Sequence, residues 1–328
     1  MSTGDKSILI ITNSTDESVD SVISILAERK EMFFRFDTDF FPMKIFLKTE
    51  INGLSISGFI KKEDEVVRLE DIKSVWYRRP TKPVLPDNFH SGYVNFIQDE
   101  SMTMLWSLWT SLDALFVNPP LFGSKLLEHN KLHQLKTAKK IGISVPDTII
   151  TNDPDELIYF SESHGGCIAI KLLKSNVFVK EGEVENLFVF TNLVTTEEIR
   201  KKRTSIAISP IFAQEYIKKK LELRITVVGK KIFSCAIHSQ NSEKTKHDWR
   251  RYDFNNVKHE PYLLPKEAEE KILILMKEWN LNFGAIDMII TPEDKYVFLE
   301  INPNGQFGWI EEITKMPISE ALADLLAK

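Results

Sequence analysis

Residues 283–305 read FGAIDMIITPEDKYVFLEINPNG and contain two apolar runs separated by the polar segment TPEDK. Apolar runs of this length are typical of buried strands, and a short polar segment between them is typical of a tight turn. The stretch therefore predicts an antiparallel β-hairpin. If the turn is centred on the Glu-Asp pair of that segment, antiparallel pairing places Asp287 opposite Glu300. Asn302 then lies on the same face.

This face of the predicted hairpin is a candidate metal site. Two carboxylates directly opposite each other repel, and burying them costs free energy unless a cation or a shared proton is present. Together with the amide oxygen of Asn302, Asp287 and Glu300 are ligands that Mg²⁺ prefers. Alternatively, the two carboxylates lie on an exposed face and bind nothing. We expect Ile289 and Phe298 to share that face, which favours the metal site over a solvated surface.

The composition is that of an ordinary folded protein. Of the 328 residues, 43% are hydrophobic and 27% charged, which excludes disordered, collagen-like and coiled-coil chains. With 42 Lys and Arg against 47 Asp and Glu, the formal charge is −5, which argues against a chain that coats nucleic acid or an anionic membrane. Cys167 and Cys235 lie far apart, so neither a disulfide framework nor a structural zinc site is predicted.

The sequence offers no targeting or membrane segment. The apolar run at residues 8–12 is too short for a signal peptide and lacks a basic start. The longest apolar stretch, residues 102–117, is interrupted by polar side chains, so no membrane-spanning helix is predicted. We therefore expect a cytoplasmic protein with no membrane partner.

The chain is predicted to begin with an α/β domain that covers residues 1–118. A strand at residues 8–12 is followed by a polar turn and by apolar residues at helical spacing. The two prolines after Asn118 break the chain there. Further strands are expected at residues 32–36, 45–49, 54–60 and 74–76, and a helix at 94–116.

The remainder is predicted to form a central subdomain, residues 119–208, and a C-terminal subdomain, residues 209–328. A helix at 124–141 is closed by Gly142 as its C-cap. The central elements expected are a helix at 155–163, strands at 167–173 and 187–192, and a basic helix at 196–203. Residues 211–231 have the pattern of an antiparallel meander.

Several charged residues in these elements suit a nucleotide. Lys171 interrupts an apolar strand, and its ammonium needs an anionic partner such as a phosphate or a route to water at the strand edge. Lys131 lies in a predicted helix, where most lysines are solvated. Glu222 and Arg224 share one face of a strand. They could form a surface ion pair, or they could bind ribose and a developing oxyanion.

The familiar nucleotide and hydrolase motifs are missing from the sequence. Residues 123–125 look like the end of a Walker motif, but Asn118 stands where the earlier glycine must be. There is no dinucleotide fingerprint, and the glycines after His164 lack the partners of an oxyanion loop. The seven histidines show no HExxH spacing, so zinc hydrolysis has no support.

Taken together, the motifs resemble those of the ATP-grasp ligase superfamily, in particular its RimK-like branch, over about residues 118–328. The matching residues, in chain order, are Lys131, Lys171, Gln214, Glu215, Tyr216, Ile217, Glu222, Arg224, Asp287, Glu300 and Asn302. Residues 76–80 (WYRRP) and 300–309 (EINPNGQFGW) further resemble the microviridin-type ligases, which cross-link ribosomal peptides into graspetides, or ω-ester-containing peptides. The resemblance implies a mixed α/β (α+β) ATP-grasp fold with an N-terminal α/β pre-ATP-grasp domain, a central subdomain and a C-terminal antiparallel-sheet subdomain.

The resemblance also implies roles in binding ATP. Lys131 and Lys171 would contact the α- and β-phosphates, and Glu222 would bind the ribose. The adenine would lie against the hinge segment formed by Gln214, Glu215, Tyr216 and Ile217.

The same resemblance implies a metal site and a phosphate cover. Asp287, Glu300 and Asn302 would hold two Mg²⁺ ions. The loop after Lys171 lacks the glycines that RimK-like enzymes place over the phosphates. Lys174 or Ser175 would substitute for them.

The implied reaction is ATP-dependent activation of a carboxylate as an acyl-phosphate, followed by attack of a hydroxyl or amine. Arg224, helped by Arg250 or Arg251, would stabilise the acyl-phosphate and the tetrahedral intermediate. The substrate would be a precursor peptide with a leader and with Thr, Ser, Glu and Asp in its core, and the product a macrocyclic ester or amide. The alternatives are a RimK-like ligase that adds an amino acid such as glutamate, and a nucleotide-binding module without catalysis.

Charge by segment agrees with an acidic substrate. Residues 200–260 contain 15 Lys and Arg against 6 Asp and Glu, a local charge of +9. We assign this basic surface to ATP phosphates and an acidic peptide, with no nucleic-acid partner. The leader is expected to dock at residues 178–196. The sequence leaves the oligomeric state open, and the related ligases suggest a homodimer as one alternative.

Overall fold

The computed structural model describes residues 6–120, 125–128, 130–173 and 190–328. Within these ranges, the chain forms a parallel sheet with a small antiparallel sheet beside it, a central antiparallel sheet and a C-terminal antiparallel sheet. The mixed α/β architecture predicted from the sequence is therefore confirmed. None of the helices in these ranges has the length and apolar character needed to span a bilayer.

The N-terminal domain is an α/β unit. Its elements are β1 (Ser7–Thr12), α1 (Asp20–Glu28), β2 (Phe33–Asp37), β3 (Ile45–Asn52), β4 (Ser55–Lys62), β5 (Glu65–Arg68), β6 (Ile72–Tyr77), α2 (Ser91–Trp109) and β7 (Leu115–Val117). The parallel sheet has the order β2-β1-β6-β7, and β3, β4 and β5 form the antiparallel sheet. Because β1 lies between β2 and β6, the turns that leave β1 and β6 meet at one edge of the sheet.

The predicted helix at residues 94–116 is wrong at its C-terminal end. α2 ends at Trp109, and residues 115–117 form β7, which pairs in parallel with β6. An apolar run fits either a buried helix or a buried strand, and pairing with β6 satisfies its backbone hydrogen-bonding groups. The strand β5 was not predicted, and three of its four residues are exposed.

The central region carries the elements that surround the lysines. They are α3 (Lys125–Glu128), α4 (Lys131–Lys140), β8 (Thr148–Thr151), α5 (Pro154–Ser163), β9 (Cys167–Lys171), β10 (Asn192–Thr195), α6 (Thr196–Lys201), α7 (Arg203–Ala207) and β11 (Ile211–Glu215). The sheet order is β10-β9-β11-β8, with antiparallel neighbours. Among the strands of the described ranges, β10 thus lies at the edge of this sheet.

Three predictions for this region need correction. The helix predicted at 124–141 is divided into α3 and α4, because Asn130 caps α4 by accepting from the backbone N–H of His133 at 3.1 Å. The helix predicted at 196–203 is likewise two short helices, α6 and α7. Of the strand predicted at 187–192, residues 187–189 lie outside the described residues, and β10 begins at Asn192.

The C-terminal region is a five-stranded antiparallel sheet covered by helices. Its elements are β12 (Leu221–Val228), β13 (Lys231–Ile237), β14 (His259–Pro261), α8 (Lys266–Glu278), β15 (Phe283–Ile290), β16 (Tyr296–Asn302), α9 (Gly308–Thr314) and α10 (Ile318–Leu326). The order is β14-β13-β12-β15-β16. The meander predicted over 211–231 is wrong, because β11 pairs with β8 and β9 whereas β12 pairs with β13 and β15. The boundaries at 118 and 208 stay predictions.

A shared core fixes the N-terminal domain against the C-terminal sheet. Ile8 and Leu26 from the N-terminal domain pack in one apolar cluster with Phe283, Leu322 and Leu326, all almost fully buried. At about 25 cal/mol per Å² of buried apolar area, such a contact holds the two parts in a defined arrangement. The edge of the parallel sheet, where β1 and β6 end, therefore faces the end of the β15–β16 hairpin.

Candidate functional site

The hairpin of β15 and β16 places the predicted acidic pair face to face. Asp287 lies opposite Glu300, and Ala285 lies opposite Asn302. A β-bulge at Leu299 shifts the pairing by one residue, so the turn itself is not centred where the sequence suggested. Phe298 consequently pairs with Met288 and faces the opposite side of the sheet, which corrects its predicted place beside Asp287.

Asp287 is held by an arginine from the neighbouring strand. Arg224 on β12 lies opposite Asp287, and its Nη1 donates to the two carboxylate oxygens at 3.1 and 3.0 Å. Both side chains are buried. Burial raises the pKa of Asp287 above its usual range, with Arg224 opposing that shift and the nearby Glu300 adding to it. The site therefore gains from any further cation that Asp287 can share.

Glu300 is held by a lysine from the first turn of α4. Lys131 Nζ donates to Glu300 Oε2 at 2.5 Å. Burial alone would raise the pKa of Glu300, but Lys131, Arg250 and Lys171 together hold it below its usual range. Glu300 is therefore ionised at neutral pH and provides an anionic oxygen ligand.

The donors on this face fit a magnesium ion. Asp287, Glu300 and Asn302 offer two carboxylates and an amide oxygen within one end of the hairpin. The described residues contain no group of three or more His, Cys, Asp or Glu side chains that could hold a metal by themselves. Mg²⁺ is usually bound through one or two carboxylates together with substrate phosphates. The donor set therefore suits Mg²⁺ bound with a nucleotide better than a metal enclosed by protein ligands alone.

A first cavity of about 280 Å³ opens between the central and the C-terminal sheets. It brings together most of the residues predicted to bind ATP and metal. These lining residues are Lys131, Lys171, Gln214, Glu215, Tyr216, Ile217, Glu222, Arg250, Asp287, Glu300 and Asn302. Lys174 and Ser175 lie outside the described residues.

In the first cavity, the hydrogen bond described for the Lys171 ammonium goes to a neutral group. Lys171 Nζ donates to the neutral Gln214 Oε1 at 2.9 Å, and burial lowers the pKa of Lys171 to about 8, although Glu300 opposes the shift. A phosphate would supply the negative charge that this ammonium lacks. Deeper in the cavity, Glu222 is buried and pairs with Lys219 at 3.1 Å.

The hinge beside this cavity is built by backbone contacts. The Glu215 N–H donates to the carbonyl of Asp147 at 3.0 Å, and the Glu215 carboxylate accepts from the Asp147 N–H at 2.9 Å. The Glu215 side chain is thus used to join β11 to the segment before β8. What remains for a ligand is the backbone of Tyr216 and Ile217 and the Tyr216 ring, which lies 6.0 Å from that of His247.

A second cavity of about 680 Å³ adjoins the first. Asp287, Glu300, Asn302 and Arg250 line both. The rest of the wall of the second cavity comes mainly from the ends of β1 and β6 and from the segment after β16, with Glu128, Trp249 and Tyr252 beside them. The residues concerned are Asn13, Tyr77, Arg78, Arg79, Pro80, Thr81, Asn304, Gly305, Gln306 and Trp309, together with Arg224 on β12. Several guanidinium groups thus border the cavity, which favours an anionic ligand.

The structure places the two adjacent arginines of the segment DWRR, residues 248–251, in different surroundings. Asp248 accepts from Arg250 Nε at 2.8 Å and from Arg250 Nη2 at 2.6 Å, and this pair holds Arg250 at the boundary of the two cavities. Arg251 instead lies over the ring of Phe190 at 5.2 Å and contacts Asn192 at 3.4 Å. Arg251 lines neither of the two cavities, whereas Arg250 lines both.

The buried Gln134, which the sequence did not single out, supports the candidate metal site. This site, formed by Asp287, Glu300 and Asn302, is called the metal face below. Gln134 lies one turn after Lys131 on α4, and its Oε1 accepts from the Ile301 N–H at 2.9 Å while its Nε2 donates to the Ile301 carbonyl at 3.1 Å. α4 is thereby fixed to β16 between Glu300 and Asn302. The only signal in the sequence was its position on the same helix face as Lys131.

Gly305 closes the segment after β16 tightly against the site. A Cβ there would lie 2.4 Å from Ala285 Cβ and 2.9 Å from Arg224 Nη2. We expect Gly305→Ala to displace this segment or Arg224 and to reduce ATP turnover by on the order of 100-fold. Overpacking should also lower the free energy of unfolding by about 1–3 kcal/mol. Steady-state kinetics and thermal unfolding measure the two effects.

Gly308 gives the matched control for this prediction. A Cβ there would meet nothing within 4 Å. Gly308→Ala should leave both turnover and stability close to those of the wild type. Equal effects of the two substitutions would show that the close approach at Gly305 has no part in the site.

The fold and the two-sheet cleft define an ATP-grasp ligase. A family model described as RimK-like ATP-grasp domain matches residues 128–326, and one described as MvdD pre-ATP grasp domain matches residues 7–121. The chain belongs to the RimK-like ATP-grasp family. The family resemblance predicted from the sequence is thereby confirmed.

Solved structures extend this comparison over the whole chain. Macrocyclase MdnC from Microcystis aeruginosa MRC, bound with precursor peptide MdnA, is 34% identical, with 98% of this chain and 99% of that chain covered and a TM-score of 0.84. The Chryseobacterium gregarium RiPP-associated ATP-grasp ligase, in complex with ADP and a leader and core peptide, is 34% identical, with 98% and 96% covered and a TM-score of 0.89. Macrocyclase MdnB from Microcystis aeruginosa MRC is 30% identical, with 98% and 99% covered and a TM-score of 0.78. Comparison with curated protein sequences gives no significant match.

Proposed function

We propose that this protein is an ATP-dependent ligase that macrocyclises a ribosomally made precursor peptide through side-chain ester or amide bonds. The observation that carries the proposal is the meeting of two cavities at Asp287 and Glu300. One cavity suits a nucleotide, and the other is an arginine-lined space between domains that suits an acidic peptide. The similar chains MdnC and the Chryseobacterium gregarium ligase were solved with precursor peptides, which supports a peptide substrate.

ATP is assigned to the first cavity. Lys131 and Lys171 are placed to bind its phosphates, Glu222 to accept from the ribose hydroxyls, and the segment from Gln214 to Ile217 to contact the adenine. Two Mg²⁺ ions held by Asp287, Glu300 and Asn302 would neutralise charge on the transferring phosphoryl group. The phosphates then point toward the boundary with the second cavity.

The acidic side chain of the precursor is assigned to the second cavity. Its carboxylate oxygen attacks the γ-phosphorus of ATP, the bond to ADP breaks, and an acyl-phosphate forms. A hydroxyl or amine of the same peptide then attacks the acyl carbon, loses its proton and displaces inorganic phosphate. The peptide loses one water per ring in total.

Arg224 and Arg250 supply the positive charge for these steps. Arg224 is buried beside the reacting face, with its Nη2 donating to the Gln306 carbonyl at 3.1 Å, and Arg250 lies at the boundary of both cavities. Guanidinium groups fixed in this manner stabilise the carboxylate, the acyl-phosphate and the tetrahedral oxyanion without reorganising. We assign both residues catalytic roles, and Arg251 a structural one.

The leader of the precursor is assigned to the edge of the central sheet. β10 lies at the edge of this sheet in the part of the chain that the structure describes, and edge strands bind peptides by strand addition. Of the proposed docking segment 178–196, residues 178–189 lie outside the described residues. The proposal further includes a homodimer and a cytoplasmic location.

The experiment that tests this function is intact mass analysis of a candidate precursor. Short peptides encoded beside the gene are incubated with the enzyme, ATP and Mg²⁺. Each ring formed should remove the mass of one water, and omission of ATP should abolish the change. A mass gain would instead favour the RimK-like addition of an amino acid. Failure to modify any encoded peptide would contradict macrocyclisation.

A further inference from the structure

Arg78 joins the N-terminal domain to the segment that follows the metal face. It comes directly after β6, and its backbone N–H donates to the Ile11 carbonyl at 2.9 Å. Its side chain, 1% exposed, reaches across the interface, where Nη1 donates to the carbonyl of Asn304 and, at 3.3 Å, to that of Gly305. The guanidinium therefore spans two successive carbonyls of another domain.

The partners of Arg78 are unusual for a buried cation. Besides the two carbonyls, Nη2 donates to Ser18 Oγ at 3.2 Å, whereas the carboxylate of Asp16 lies 4.0 Å from Nε. Burial lowers the pKa of Arg78 to about 10, and the charge of Arg79 adds to that shift. The ion pair with Asp16 is long, so it offsets only part of the cost of burying the charge of Arg78. The hydrogen bonds to the two carbonyls are closer contacts, and they fix the segment that carries those carbonyls.

The segment that Arg78 fixes contains two groups of the site. It begins at Asn302, which is assigned to the metal, and its Gln306 carbonyl accepts from Arg224. Asn118, also from the N-terminal domain, donates to the Pro303 carbonyl at 2.6 Å. Movement of residues 302–306 would therefore shift both the amide ligand and the hydrogen bond that orients Arg224.

We propose that Arg78 is a positioning residue of the ligation reaction, which holds residues 302–306 so that Asn302 and Arg224 keep their places. The inference rests on the proposed function only for the roles of those two residues. It makes the N-terminal domain part of the catalytic apparatus. Outer partners of metal ligands typically change metal affinity or activity by about 10–100-fold when they are replaced.

The test compares Arg78→Lys and Arg78→Met with the wild type. Lysine keeps the charge but cannot span two carbonyls and Ser18, and methionine removes both charge and donors. Calorimetric titration of ADP at a series of Mg²⁺ concentrations is the first readout. We expect the Mg²⁺ concentration for half-maximal ADP binding to rise by about 10–100-fold, more for methionine than for lysine. With a precursor, kcat should fall while KM for the peptide changes little.

Lys73 supplies the control for a merely structural bridge between the domains. It also belongs to β6, donates to the Ala327 carbonyl at 2.8 Å and pairs with Glu31 at 2.9 Å, and it lines neither cavity. Lys73→Met should leave the Mg²⁺ dependence of ADP binding unchanged. Should the Arg78 variants fold poorly, Ser18→Ala removes one neutral partner and is expected to give a smaller shift in the same direction.

Two results would overturn the inference. One is an unchanged Mg²⁺ dependence in the folded Arg78 variants, or in Ser18→Ala if those variants do not fold. The other is an equal shift in Lys73→Met. Because ADP binding needs no peptide, this titration decides the role of Arg78 even if no precursor is cyclised, and that second failure would count against the proposed function alone.

Discussion

Glu300→Gln is expected to lower ATP turnover by on the order of 100-fold or more while leaving most of the fold intact. The substitution keeps the shape of the side chain but removes the anionic oxygen that faces Asp287 and binds Lys131. It also removes a negative charge that lies close to Lys131, Arg250 and Lys171. Release of ADP from ATP, with circular dichroism to verify folding, measures the effect.

A second glutamate of the same sheet gives the matched control. Glu260 on β14 pairs with His238 at 2.8 Å and lies in neither cavity. Glu260→Gln should leave ATP turnover unchanged. Full turnover in Glu300→Gln would remove the metal face from the mechanism.

Arg224→Lys is expected to lower turnover by about 100–1,000-fold, with ADP binding much less affected. Lysine retains one charge but loses the fork that contacts Asp287 and the Gln306 carbonyl together. Arg224→Ala should be equally inactive and less stable, by about 3–5 kcal/mol, because it leaves Asp287 buried without its partner. Single-turnover kinetics, ADP calorimetry and chemical unfolding separate these effects.

Arg203, which lines neither cavity, gives the matched control for this prediction. Arg203 pairs with Asp155 on the exposed side of the central region. Arg203→Lys should leave turnover, ADP affinity and stability unchanged. If Arg224→Lys loses ADP affinity in proportion to its turnover, then Arg224 serves nucleotide binding and has no separate role in the transfer.

The metal face was predictable because its information is local. Asp287, Glu300 and Asn302 lie on one hairpin, and the alternation of side chains in two short strands limits which residues can face each other. The bulge at Leu299 could not be predicted, since either pairing buries apolar side chains. Beside the turn, the pairing register differs from the predicted one by one residue, and the bulge restores the predicted pairing of Asp287 with Glu300.

The second cavity depends on contacts between residues that are far apart in sequence. Arg79 meets Gln306 when the amide of Gln306 is oriented with its oxygen toward the guanidinium, at 2.8 and 2.9 Å. Arg78 likewise meets Asn304 and Gly305. No periodic pattern in the sequence predicts such a contact, because the contact follows from the packing of two domains on a shared core. From the sequence, these two arginines belong only to the WYRRP stretch, residues 76–80, that resembles the microviridin-type ligases.

The different directions of the Arg250 and Arg251 side chains could not be predicted from the sequence either. Adjacent residues in the single 3-10 turn Trp249–Arg251 point in different directions, and the direction is set by Asp248 on one side and by Phe190 and Asn192 on the other. Those partners lie on different subdomains. Sequence analysis could therefore name the pair of arginines but could not choose between them.

The central claim is that this cleft activates a peptide carboxylate by transferring the γ-phosphoryl group of ATP to it. The most direct measurement uses a precursor whose side-chain carboxylates carry a heavy oxygen isotope. Mass spectrometry of the inorganic phosphate released during cyclisation should then detect one heavy oxygen atom per ring, because the carboxylate oxygen leaves with the phosphate. Cyclised peptide accompanied by unlabelled phosphate would contradict the acyl-phosphate route and the roles assigned to the site.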